Sequence, residues 1–180
     1  MSKFYYLFLV FGLLGCNEVS VDSDIEKLSD THFSEFVSRI PAYSFPIEMN
    51  CNFDVPAIDK DFIEFTNFFP EGGRVVSKLE SNNNFSLIIF DFACDYSCPI
   101  LYSYNINGKP LDSLPLTPGQ CGEDQFISSN EWFTINKEIE IELIDTTTFY
   151  SDSLDFRMLD SVKIEVQKFE LNDNGMFVLI

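Results

Sequence analysis

The 180 residues predict a mainly β fold: an antiparallel meander forming a sandwich or half-barrel, with one or two short N-terminal helices. Three observations carry this expectation. After Gly73 the apolar residues change from helical spacing to strand-like alternation. Asn107-Gly108 and Asn174-Gly175 stand between alternating runs and supply residues tolerant of positive φ, the commonest hairpin signal. A content of 46% hydrophobic and 16% aromatic residues, with no Gly- or Ser-rich linker, suits one packed domain over residues 24–180.

The elements follow in chain order. Ile25, Leu28, Phe33, Phe36, Val37 and Ile40 recur at helical spacing, so a helix is expected over 25–39, with Asp24 as N-cap and Pro41 as stop. His32 lies beside that stripe and reads as a partly buried structural histidine. Residues 41–60 hold three prolines and little periodicity, which suggests an irregular connector pinned by Cys51. Ile58, Phe62, Phe65 and Phe69 predict a short second helix before Pro70, with the phenylalanines as core. Eight strands are expected, over 74–79, 85–93, 100–106, 110–116, 132–135, 138–144, 162–171 and 176–180. Glu138, Glu140 and Glu142 alternate with Ile139, Ile141 and Leu143, so one face of that strand should be buried and the other anionic and wet. Lys163 or Lys168 is expected to face those glutamates from a neighbouring strand. Residues 104–108 and 169–175 look like one hairpin used twice and resemble β-propeller hairpins. The 107 residues from 74 to 180 are nevertheless too few for the blades of a closed ring.

Residues 4–14 form an 11-residue apolar run behind Lys3, too short to span a bilayer as a helix and right for a signal-peptide core. The run ends in Leu13-Leu14-Gly15-Cys16. This resembles the lipobox of bacterial lipoproteins, although Leu14 stands where that family more often has a smaller residue and Lys3 is the single n-region charge. The resemblance covers 16 residues. It implies a signal peptide over 1–15, a lipidated Cys16 as membrane anchor, and a tether over 16–23. Asn17 resembles the sorting residue of outer-membrane lipoproteins, so the implied location is the outer membrane, facing the periplasm or the cell surface.

Eleven Lys and Arg stand against 29 Asp and Glu, a net charge of −18, so phosphate backbones repel the chain and nucleic acid is not an expected partner. Basic protein surfaces, cations and neutral glycans fit better. Besides Cys16, an exported chain with Cys51, Cys94, Cys98 and Cys121 reads as having two disulfides. Three connectivities are open. Cys98 with Cys121 and Cys51 with Cys94 are favoured, because joining Cys94 to Cys98 closes a tight loop. The competing zinc site lacks paired C-x2-C spacing. Four Asp-Ser/Thr steps, at Ser113, Thr146, Ser153 and Ser161, resemble the O-glycosylation signal of exported proteins in some double-membraned bacteria; turn chemistry explains the same residues.

The sequence holds no nucleophile elbow, zinc-protease, P-loop or dinucleotide motif, and one histidine makes a triad improbable. No catalytic residue, metal ligand or cofactor is assigned. The first expectation is therefore a lipid-anchored envelope protein that binds a partner without catalysis. A carbohydrate-binding accessory lipoprotein is the second, with Trp132, Tyr102, Tyr104 and Tyr150 as stacking residues. A carboxylate-dependent hydrolase is the third, using Asp91 with Asp95 or Glu123 with Asp124.

Overall fold

The computed structural model describes residues 32–50, 59–79, 84–94, 97–117, 121–153 and 156–180. These residues form ten strands in two antiparallel sheets and two helical segments. The first sheet is the meander β2 (Gly73–Leu79), β3 (Ser86–Ala93), β4 (Ser97–Tyr104) and β5 (Pro110–Pro115). The second runs in the order β1 (Ile47–Asn50), β7 (Ile127–Ile135), β8 (Glu140–Ser153), β9 (Phe156–Leu171) and β10 (Phe177–Leu179), with β6 (Gly122–Glu123) also on β7. The expected β-rich class is what forms.

Between the sheets lies a core that includes Val76, Leu87, Ile89 and Leu101 from one sheet and Met49, Phe133, Ile141 and Leu143 from the other. The opposite face of the first sheet is buried too. Ile88, Phe90 and Tyr104 pack there against Phe33 and Phe36 of α1 (residues 32–39) and Phe62, Phe65 and Phe68 of a 3-10 helix over Asp59–Phe68. Two-sided burial accounts for the unbroken apolar run of β3, where odd positions enter one core and even positions the other. The 3-10 form follows from Phe62, Phe65 and Phe68, whose spacing of three eclipses on a three-residue turn and sends every ring to the sheet. Lys78 Nζ donates to the carbonyl of Val37 at 2.8 Å and caps the end of α1.

One turn is used three times. Asn105, Asn136 and Asn172 each accept two backbone N–H groups on Oδ1, from residues two and four positions on. In each loop the fourth residue has positive φ: Gly108 at 79°, Ile139 at 62° and Gly175 at 77°. Ile139 therefore sits in a conformation that a β-branched residue rarely adopts. Its loop takes up residues 137–139, so β8 begins at Glu140, two residues later than expected.

Other expectations change in detail. The connector over 41–60 contains strand β1, in which Ile47 and Met49 are buried and Glu48 and Asn50 exposed. Lys168, rather than Lys163, faces the glutamate strand, with its Nζ 3.3 Å from Glu142. Lys163 stands opposite Thr147. The β8–β9 ribbon is far longer than predicted, because beyond Leu143 cross-strand pairing carries it, with β7 on β8 as far as Phe149 and β9 on β8 throughout, and no core imposes alternation. The favoured disulfide pairing is overturned: Cys94 is bonded to Cys98, Cα atoms 6.2 Å apart. These cysteines flank the tip of the β3–β4 hairpin, where Ala93 pairs with Ser97, so strand pairing itself brings them together. Cys121 is disulfide-bonded as well; Cys51 lies outside the described residues, as do residues 1–31 with the Cys16 motif and the tether.

Candidate functional site

The second sheet has one face on the core and one on the surface, and strand alternation assigns each side chain. On the surface face Trp132 stands opposite Ile144, and Ile144 opposite Val166. The next rungs read Asn130, Thr146, Ile164 and Ser128, Thr148, Val162. Ile164 is 63% exposed, and Val162 and Val166 are 48% exposed. The result is an apolar patch edged by threonine, serine and asparagine. Toward the other end, Glu48, Glu140, Glu142 and Glu170 occupy the same face, with Lys168 between Glu142 and the sheet edge.

The inward side of the ribbon, past the sandwich, carries a cleft of about 180 Å³. Glu131, Asp145, Glu165 and Gln167 line it with Leu116 and Leu143, and Trp132 and Ile144 border it as well. Glu131, Asp145 and Glu165 are direct cross-strand neighbours, so three carboxylates share one rung, and Glu131 is 2% exposed. Lys163 pairs with Glu165 at 2.8 Å. The row offers acceptor oxygens to a cationic, amide or hydroxyl donor. Among the described residues no group of three His, Cys, Asp or Glu side chains is placed to hold a metal ion.

The four aromatic residues expected to stack on a ligand do not converge. Tyr104 is 2% exposed and donates its hydroxyl to the Phe68 carbonyl at 2.9 Å, so it is a core residue. Burial, and then Tyr102, raise its pKa well above the usual phenol value. Tyr102 packs between Phe90, Phe92 and Tyr104 on the helix side of the first sheet. Tyr150 lies out on the ribbon, six residues beyond Ile144 along β8. Trp132 stands at the centre of the surface face of the second sheet, partly exposed. Two of the carboxylate candidates, Asp91 and Asp124, are structural. Asp91, 1% exposed, accepts from Ser97 Oγ at 2.9 Å and the Cys98 N–H at 3.0 Å and is ion-paired with Arg74, which holds the disulfide hairpin. Asp124 accepts the N–H groups of Phe126 and Ile127 in a turn, and Asp95 lies outside the described residues.

The glycosylation candidates all fall within strands, Ser113 in β5, Thr146 and Ser153 in β8 and Ser161 in β9. Ser113 and Ser161 are exposed, whereas the Thr146 hydroxyl is buried. Ser153 ends β8. His32 is half-buried, with its ring 4.9 Å from that of Phe65. No helix among the described residues is long and apolar enough to cross a membrane. No family model, curated protein or solved structure matches the chain.

Proposed function

We propose that this chain is a lipid-anchored protein of the bacterial envelope, attached to the outer membrane through Cys16, whose β domain binds a protein partner without catalysis. The anchor rests on Lys3, the apolar run over 4–14 and Leu13-Leu14-Gly15-Cys16. Two or more acyl chains on one cysteine give stable membrane attachment without a transmembrane helix.

The observation that carries the binding role is the surface face of the second sheet. Trp132, Ile144, Ile164 and Val166 form its apolar centre and four glutamates one flank. A partner that fits presents apolar side chains bordered by Lys or Arg, which matches a net charge of −18. Saturable binding to isolated envelopes tests this: Trp132→Ala and Ile144→Lys should each weaken it about tenfold or more, as removal of a central anchor does. Binding that is absent, or unchanged in both variants, overturns the assignment. Trp132 between Asn50 and Ile144 also supports the glycan reading. In that case soluble oligosaccharide competes for the envelopes, whereas protease treatment of them changes nothing.

A further inference from the structure

Strand β9 is open along most of one side. It pairs with β8 over its whole length, but β10 covers only Phe169, Glu170 and Leu171 on the other edge. Ile180 then donates its N–H to the Lys168 carbonyl at 2.9 Å, and there the cover ends. Asn172 likewise bonds toward β10, through its N–H to Met176. Residues 168 and 172 thus aim their backbone groups at this edge, and alternation makes Val162, Ile164 and Val166 do the same. Among the described residues nothing pairs with them. Their side chains are exposed, in a stretch where natural sheets usually shield an edge.

We propose that this edge pairs with the same edge of a second copy, antiparallel about a two-fold axis at Ile164, joining the two sheets into one. The sequence around Ile164 is self-complementary. Reversed on itself, it sets Lys163 against Glu165, Val162 against Val166, Ser161 against Gln167 and, at the flank, Asp160 against Lys168. Every charge in the window meets its opposite, and each apolar residue meets an apolar one. Ile164, Val162 and Val166 are the residues whose backbone groups face out, which hydrogen-bonded pairs about this axis require. A parallel pairing in register would instead stack Lys163 on Lys163 and Glu165 on Glu165. Residues 157–168 hold three basic and two acidic groups, a net of +1 (3 − 2), so the edge avoids the repulsion that a chain of net −18 meets elsewhere. The Lys163–Glu165 pair seen within one chain becomes half of an alternating group of four charges across the axis. The pairing is independent of the envelope partner.

The test is sedimentation equilibrium of the full chain in density-matched detergent, from about 1 to about 300 µM, the range suited to an interface of this size. The expected mass rises with concentration toward twice that of one chain. Glu165→Lys puts like charges together at two symmetric places and should weaken association about tenfold. Adding Lys163→Glu to it restores the pairing. Independently, oxidised Ile164→Cys should give a covalent dimer, since a hydrogen-bonded cross-strand pair has Cα atoms about 5.5 Å apart, within disulfide reach. Val162→Cys alone should not, because its own mate lies four positions along, about 13 Å away. A mixture of Val162→Cys and Val166→Cys should cross-link. One-chain mass at every concentration overturns the proposal. So does a dimer that is indifferent to Glu165→Lys and not trapped by Ile164→Cys, since it would use another surface.

Discussion

Replacing Gly108 by Ala adds one methyl group at the point where helices, turn and sheet meet. Gly108 has φ of 79°, which costs an L side chain about 1–2 kcal/mol. Its Cβ would also lie 2.7 Å from Cδ2 of Phe33 and 2.8 Å from Cε1 of Phe68. Both rings are fully or nearly buried and packed edge to face with centroids 5.1 Å apart, so neither can yield without disturbing the other. Overpacking of this kind costs a further 1–3 kcal/mol or so, for a total of about 2–5 kcal/mol. Gly72 separates the two contributions: its φ is 78°, and nothing lies within 4 Å of an added Cβ. Gly72→Ala should therefore lose only the backbone part, about 1–2 kcal/mol. Urea unfolding followed by circular dichroism gives both values, with the slope checked for constancy. If the two variants agree within about 0.5 kcal/mol, the packing of Phe33 and Phe68 over this turn is refuted, and with it the docking of the helices on the first sheet.

Three further outcomes are expected. Asp91→Ala should destabilise by about 2–3 kcal/mol in the same assay, because Arg74, Ser97 Oγ and the Cys98 N–H all lose a charged acceptor; Asp91→Asn, which keeps an oxygen for the two donors, should lose less. Tyr104→Phe should cost about 1–2 kcal/mol through the unpartnered Phe68 carbonyl. The Tyr104 pKa is raised in the fold above its ordinary 10.0, so its contribution is full below about pH 10 and lost as pH rises further; stability measured across that window should fall less steeply in Tyr104→Phe. A peptide map under non-reducing conditions should recover Cys94 joined to Cys98, and a fragment joining Cys98 to Cys121 would contradict the hairpin geometry.

Much of this architecture is written locally in the chain. β2 to β5 alternate or run apolar over lengths that only strands fit, and Gly108 and Gly175 openly mark the β4–β5 and β9–β10 turns. The third copy of that turn is hidden because Ile139, not glycine, takes the left-handed position, and its buried side chain reads as one more strand residue. Strand β1 is legible only in hindsight: Ile47-Glu48-Met49-Asn50 alternates correctly, but four residues between prolines fall below what periodicity can separate from a connector. The outer ribbon is hard to read for a different reason, since Thr146, Thr147 and Thr148 are only partly buried and Ser151 is exposed, so cross-strand pairing with β7 and β9 replaces core burial as the organising force.

The surface site shows the same division. Trp132 stood out as the single tryptophan, and the surface face of the second sheet holds it. Tyr104 has the same composition-level appeal and belongs to the core, a difference set by the helices on the far side of β4 and not by any neighbour in sequence. The carboxylate row of Glu131, Asp145 and Glu165 is assembled from three strands, and no spacing along the chain announces it. The Cys94–Cys98 bond is not legible in the sequence because so short a loop reads as strained, whereas antiparallel pairing of Ala93 with Ser97 already sets the separation that a disulfide needs.

The central proposal is an anchored binding domain, and its anchor is the part most directly open to measurement. Metabolic labelling with a fatty acid in the cell that makes the protein should put the label on the chain, and Cys16→Ser should remove it and release the domain from the membrane fraction. A chain that carries no label, or that stays membrane-bound and labelled after Cys16→Ser, would contradict the account.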